Sequence, residues 1–216
     1  AALVLYYRFQ KGQRNELILQ NNMLQSEIKA LRSQMNPHFI FNALNSIQHF
    51  MFSNRKEEAN EYLTAFSGLM RMTLENSQVN FISIADEIKF LSTYMKLEQL
   101  RLNNKLRFSI SIDPELHTNE QQIASMLLQP IIENAIIHGI SPRNTPGNIF
   151  IRFKQGKNLV QCEIEDDGFG LPPSFKISGI PEKEKGHRSF GLRSILERIT
   201  VINKIHQTNI SFTIEN

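Results

Sequence analysis

The sequence predicts an α+β protein with an N-terminal helical portion and a C-terminal mixed domain. Three observations carry this. Through the first third of the chain, apolar residues recur at helical spacing. Past "NSQVN" the composition shifts, and runs such as "KLRFSISID" and "NIFIRFKQ" alternate apolar and polar residues as half-buried strands do. At 216 residues the chain is long enough for a sizeable core. Its 41% hydrophobic and 21% charged residues are ordinary for a globular protein. A net charge of +3 from 24 basic and 21 acidic residues is too even to indicate nucleic acid, and no aromatic-studded basic patch supports it. One cysteine, Cys162, excludes an internal disulfide framework and fits a reducing compartment. It lies on the apolar face of an alternating run, which reads as a packed core thiol.

Residues 1–12 start apolar and turn basic at Arg8 and Lys11. Seven apolar residues cannot span a bilayer, which needs about 20. The expectation is the cytoplasmic end of a transmembrane helix followed by a basic juxtamembrane stub; an exposed helix start is the plainer reading. Residues 13–36 repeat in heptads, with Leu17, Leu24 and Leu31 on one line and Asn21, Ile28 and Met35 on the other. That is a short coiled coil with Asn21 as a register-setting polar residue, or else a helix packed on its own domain.

Residues 37–80 read as a helical hairpin. Pro37 interrupts the heptad seam where His38 would continue it, and a helix runs from Pro37 to Phe52 with Ile40, Leu44, Ile47 and Met51 on one face. "SNRKEE" is a short connection, and Asn54 with Glu57 has capping-box spacing for the next helix. That helix carries Ala59, Leu63, Phe66, Met70 and Leu74, widened by Tyr62 and Leu69. One hairpin cannot bury both stripes, so a homodimeric four-helix bundle is expected.

Residues 81–216 read as the mixed domain, with helices on one face of the sheet. Ser83 caps a helix to about Asn103, and "KLRFSISID" follows as a strand. Asn119 and Gln122 have capping-box spacing, opening a helix that ends near Gly139. "NIFIRFKQ" and "LVQCEIEDD" form a β-hairpin around Gly156-Lys157-Asn158. A loop over 171–188 precedes a helix from Gly191 to Lys204 and a last strand, "NISFTI".

Three stretches carry chemistry. "QPIIENAIIHG" puts Glu133, Asn134 and His138 on a helix, with Asn134 and His138 one turn apart. The Asn134 oxygen suits a magnesium ion held by phosphates, and His138 shares its face; each alone also reads as a satisfied structural polar group. "IEDDGFGL" places carboxylates at a strand end before Gly168 and Gly170, where glycine suits positive φ or close approach to the backbone. A buried Asp166 there is able to accept from an exocyclic amine; the plain alternative is an Asp-Gly turn. Neither a dinucleotide fingerprint nor a P-loop is present. "SFGLRSILERI" starts a helix at Gly191-Leu192, whose free N–H groups suit phosphate. Lys183, Lys185, His187 and Arg188 form a cationic loop before it, either solvated or a lid over a triphosphate.

In this order the motifs resemble the ATP-binding domain of the GHKL superfamily, and "QMNPHFIFNALNSI" with "LLQPIIENAIIHG" is similar to the LytS/YehU-type sensor histidine kinases. The resemblance implies a Bergerat-type α/β sandwich with ATP and Mg²⁺ as cofactors. By it, His38 is the phosphoacceptor, Asn134 holds Mg²⁺, Asp166 reads adenine, and Gly168 and Gly170 line the purine pocket. Gly191 and Leu192 close the site beside the lid residues Lys185 and Arg188, and His138 contacts phosphate. It also implies a homodimer on the cytoplasmic side of the bacterial inner membrane, tethered through a preceding N-terminal region. The partner is a response regulator of LytTR type, with no direct nucleic-acid binding.

This chain departs from the family pattern at Phe39, where many relatives have an acidic residue, and at Ser189 in the second glycine box. A general base then comes from Glu133 or the Asn42 side chain. An active kinase is the first expectation. A catalytically weak dimeric scaffold of the same fold is the alternative, and a clamp-type ATPase a third.

Overall fold

The computed structural model describes residues 37–157, 159–170 and 187–214. The expected juxtamembrane stub and coiled coil, and the lid as far as residue 186 with Lys185, lie outside them. The chain divides at His49/Phe50 into two units, a boundary inside the first described helix.

In the first unit, α1 (Pro37–Phe52) begins where the sequence places it. Proline at the first helical position loses no intrahelical bond, because that N–H has no partner in a helix anyway. Ala43 is the buried residue on this stretch, whereas Phe41 and Leu44 are exposed.

The second unit opens with the end of α1. Asn54 does not cap the following helix: it takes φ 57° and ends α1. Its N–H donates to the Met51 carbonyl and the Arg55 N–H to the Phe50 carbonyl, the paired bonds of a Schellman turn. Asparagine tolerates the left-handed region better than most residues, and that preference overrides the capping-box spacing. The Arg55 guanidinium sits 4.9 Å from the Phe50 ring centroid, and Arg55 is the N-cap of α2 (Lys56–Ser77) without a side-chain cap bond.

Helix α2 buries Ala59, Tyr62, Leu69 and Thr73. This line is rotated from the expected one, for Leu63 and Leu74 stay exposed and Phe66 and Met70 are half-buried. Helix α2 packs on α3 (Ile84–Arg101). Ser83 caps α3 as expected, its hydroxyl accepting from the Asp86 N–H at 3.0 Å. The inner face of α3 buries Phe90, Leu91, Tyr94, Met95 and Leu97.

Two short strands escape the sequence reading. β1 (Phe81–Ser83) pairs antiparallel with β3 (Gln122–Ala124). The expected helix from Asn119 is therefore a strand at Gln122, and the helix α4 (Gln129–Asn134) starts later, with proline in its first turn. Pro130 was the better start signal. The three-stranded sheet has the order β2 (Leu106–Ile112), β4 (Gly147–Gln155), β5 (Val160–Asp166). β2 and β4 are parallel, β4 and β5 antiparallel. Gly147, Ile149, Ile151 and Phe153 point into the core while Phe150 and Lys154 face outward, so one face of the sheet is covered.

Helix α5 (His187–His206) starts one turn before the expected Gly191. Its Ile195 and Ile199 form an apolar cluster with Ala124 and Leu127. Residues 207–214 form no strand. The Asn203 side chain donates to the Ile210 carbonyl and accepts from the Ile210 N–H, both at 2.8 Å. These bonds occupy the groups a ladder would use, while Ile210 and Phe212 pack on the α5 cluster. Among the described residues no helix is long and apolar enough to cross a membrane.

Candidate functional site

The site grows from the junction of α4 with the end of β5. After Asn134 the helix does not continue as α: residues Ala135–Ile140 form a π-helical turn, closed by the Ser141 N–H donating to the Ile136 carbonyl at 2.7 Å. Asn134 and His138 therefore share one helical run but span a change in its winding, and not the plain α turn expected. Such wide turns store strain and are frequent at functional sites. Asn134, His138 and Glu133 are half-buried. Glu133 is held by the Gln129 amide, which donates to its Oε1 at 2.9 Å.

Opposite this turn, Asp166 closes β5. Its Oδ1 accepts from the Gly168 N–H at 2.9 Å. A Cβ at Gly168 would stand 2.5 Å from the Gly139 Cα and 2.5 Å from Asp166 Oδ1; one at Gly139 would stand 2.7 Å from that same oxygen. The two glycines thus let two backbones meet around one carboxylate. Gly168 serves close approach, whereas Gly170 serves positive φ, at 68°. Gly139 is a site residue the sequence reading passed over, although its position beside His138 in the helix was a signal.

Asp166 is exposed and not buried as expected, yet its surroundings still push its carboxyl above the ordinary value. Partial desolvation does most of this, the neighbouring Asp167 adds to it, and the Gly168 N–H and Arg143 oppose it. Asp167 behaves oppositely. Burial works to raise it, but the Asn148 backbone and side chain and the Arg143 guanidinium outweigh that and hold it low. Its Oδ1 accepts from the Asn148 N–H and from Arg143, both at 2.8 Å, and its Oδ2 from the Asn148 amide at 2.6 Å. The adjacent carboxylates are held differently: Asp167 is fastened by Arg143 and Asn148, while Asp166 accepts from the Gly168 N–H. Neither Arg143 nor Asn148 was legible, since both lie in a loop-to-strand segment without motif spacing.

The remaining candidates stand as follows. Gly191 and Leu192 lie inside α5, so the free N–H groups at its start belong to residues 187–190, which include Arg188. His38 lies in the first turn of α1. Cys162 is half-buried; burial pushes its thiol up to about 12, with Glu87 and Glu163 adding to the effect. That fits a packing thiol and not a nucleophile. The half-buried Asn134 oxygen is a hard donor, which fits a magnesium ion whose other ligands are phosphates and water.

Comparison with known proteins gives the same direction. The histidine kinase family profile matches residues 26–106. Sensor histidine kinase BtsS of Escherichia coli (strain K12) is 36% identical over 158 residues, 73% of this chain and 28% of that protein. Sensor histidine kinase YesM of Bacillus subtilis (strain 168) is 31% identical over 192 residues, 87% of this chain and 32% of that protein. Sensor protein LytS of Staphylococcus saprophyticus is 31% identical over 174 residues, 81% of this chain and 29% of that protein. The chain spans under a third of the length of these relatives. Residues 26–106 thus carry the histidine kinase profile, and along most of its length the chain is similar to sensor histidine kinases, LytS among them.

Proposed function

We propose that this chain is the kinase portion of a two-component sensor, transferring the γ-phosphoryl group of ATP to His38 and from there to a response-regulator aspartate. The observation that carries the nucleotide half is the Gly139–Gly168 approach around Asp166. It brings two glycine backbones to one carboxylate oxygen, with no space for a side chain at either glycine. On this reading Asp166 accepts from the adenine amine, Gly168 and Gly170 line the ring, and Asn134 with His138 faces the phosphates. Asn134 would hold a magnesium ion there, which would supply neutralisation of phosphate charge. Lys185 and Arg188 add positive charge beside Gly191 and Leu192, as a lid.

In the transfer, a nitrogen of the His38 imidazole attacks the γ-phosphorus in line. The bond to the bridging oxygen breaks, ADP leaves, and the nitrogen–phosphorus bond forms as the imidazole proton departs to a base. Positioning and charge neutralisation supply most of such catalysis. Glu133, oriented by Gln129, is the candidate base. The exposed Phe41, Leu44, Leu63 and Leu74 support a homodimer that buries these helix faces as a four-helix bundle. The mixed domain is then a Bergerat-type sandwich on residues 81–216, joined to the 37–80 hairpin. Membrane attachment through a preceding region, a cytoplasmic location and a LytTR-type regulator complete the proposal.

Labelling tests it. With γ-labelled ATP and Mg²⁺, the chain should acquire acid-labile, alkali-stable label that His38→Gln abolishes. ATP binding without label would make it the scaffold; phosphate release unaffected by His38→Gln would make it an ATPase.

A further inference from the structure

The turn between β3 and α4 is bound to the end of α2 by a residue no motif includes. Helix α2 ends at Ser77, so its last four carbonyls lack intrahelical donors. Local groups take two of them: the Ser77 hydroxyl donates to the Leu74 carbonyl and the Gln78 N–H to that of Glu75. The Asn76 carbonyl is taken from far away. The Ser125 hydroxyl, 49 positions along, donates to it at 2.6 Å. The Ser125 N–H also donates to the Asn80 carbonyl, at 3.0 Å. Ser125 is 2% exposed, so these bonds are shielded from water.

The same turn is clamped from its other side. Arg198 of α5 donates through Nη2 to the Ser125 carbonyl at 2.6 Å and through Nη1 to the Met126 carbonyl at 3.3 Å. Glu87, buried in the first turn of α3, attracts the Arg198 charge. Between these anchors Met126 is buried with φ 55°, a conformation a side chain with Cβ resists. Three residues later α4 begins, and it ends at Asn134. The strained turn therefore stands between the last turn of α2 and the helix that leads into the candidate nucleotide site.

We propose that Ser125 is a positioning residue that latches the end of α2 to the start of α4, so that movement of α2 is felt at Asn134 and the π-helical turn. Coupling of this kind is reciprocal: whatever orders α4 must also order the end of α2. Its consequence for phosphorylation rests on the kinase reading above; the latch itself does not.

Amide hydrogen exchange on the 216-residue chain tests both parts separately. Without nucleotide, residues 74–80 and 127–131 should open together in the wild type. Ser125→Ala should speed exchange at 74–80 by about tenfold, the scale of one buried hydrogen bond, and leave 127–131 nearly unchanged. Ser125→Thr, which keeps the hydroxyl, should restore the joint behaviour. With ATP and Mg²⁺, protection should reach 74–80 in the wild type and in Ser125→Thr but not in Ser125→Ala. Ser125→Ala should bind ATP within about twofold of the wild type while the rate of His38 labelling falls about tenfold, a kcat effect without a KM effect. Unrelated exchange rates for the two segments in the wild type overturn the latch, as does a Ser125→Ala protein with wild-type exchange. If ATP neither binds nor labels His38, the kinase reading fails instead, and the nucleotide-free arm still decides the latch.

Discussion

Asp166 and Asp167 are neighbours in the chain and differ in what surrounds them, and their carboxyls shift in opposite directions. The Asp-Asp-Gly sequence was legible as a strand-end turn with a carboxylate in it; which carboxylate does what was not, because Arg143 and Asn148 reach Asp167 from another segment. Gly168→Ala tests the cradle. Its new Cβ must displace the Gly139 backbone or the Asp166 carboxylate, so ATP affinity should fall by at least about tenfold in a binding titration, equivalent to about 1.4 kcal/mol. Glu87 gives a second residue-scale expectation. Burial raises its carboxyl from 4.5 to about 7, against the opposing Leu128 N–H and the Arg198 charge. Neither carboxylate oxygen finds a side-chain partner among the described residues. The folded state then holds a proton that the unfolded chain releases near pH 4.5. This contribution to stability is complete below pH 4.5 and is lost as pH rises through about 7, on the order of 3 kcal/mol. Thermal melts across that window should show the wild type losing stability relative to Glu87→Gln as pH rises.

At the scale of elements, the long periodic helices and the alternating strands were readable because each carries its own signal. Pro37–Phe52, the Ser83 cap and the β4–β5 hairpin all appear where spacing put them. What was not readable depends on distant partners. The three-residue strands β1 and β3 pair only with each other, and where a final strand was expected the Asn203 side chain takes the N–H and carbonyl of Ile210. The Asn54 capping box failed since its backbone went left-handed to end α1. Two outcomes belong here. Ser83→Ala should cost about 1 kcal/mol of stability in chemical denaturation, the usual worth of an N-cap. Pro37→Ala, in the full-length protein, should change basal or stimulated labelling of His38, if Pro37 is the hinge between signal input and phosphoacceptor; unchanged labelling under both conditions would remove that hinge.

At the scale of the whole molecule, the likeness to sensor histidine kinases was legible from two separated stretches, "NPHFIFN" and "IIENAIIHG", and the relatives agree with it. The proposed dimer rests on an excess of apolar helix surface. The structure sharpens this by placing Leu63 and Leu74 on the open side of α2, with Phe66 and Met70 half-buried. We expect the chain to sediment as a dimer, and Leu63→Glu to weaken association at least tenfold, because burying one unpaired charge costs well over about 1.4 kcal/mol.

The central claim is that one polypeptide both holds ATP at Asp166 and accepts its phosphoryl group on His38. The direct measurement mixes two variants, Asp166→Asn and His38→Gln, alone and together, with γ-labelled ATP and Mg²⁺. The account predicts strong acid-labile label on the wild type and none on His38→Gln. Asp166→Asn should bind ATP at least about tenfold more weakly, with label falling in step at limiting ATP. If subunits exchange and phosphorylate across the dimer, the mixture raises label on the Asp166→Asn subunit; transfer within one subunit leaves it as low as in Asp166→Asn alone, and both agree with the account. Label that persists on His38→Gln, or tight ATP binding that ignores Asp166, would contradict it.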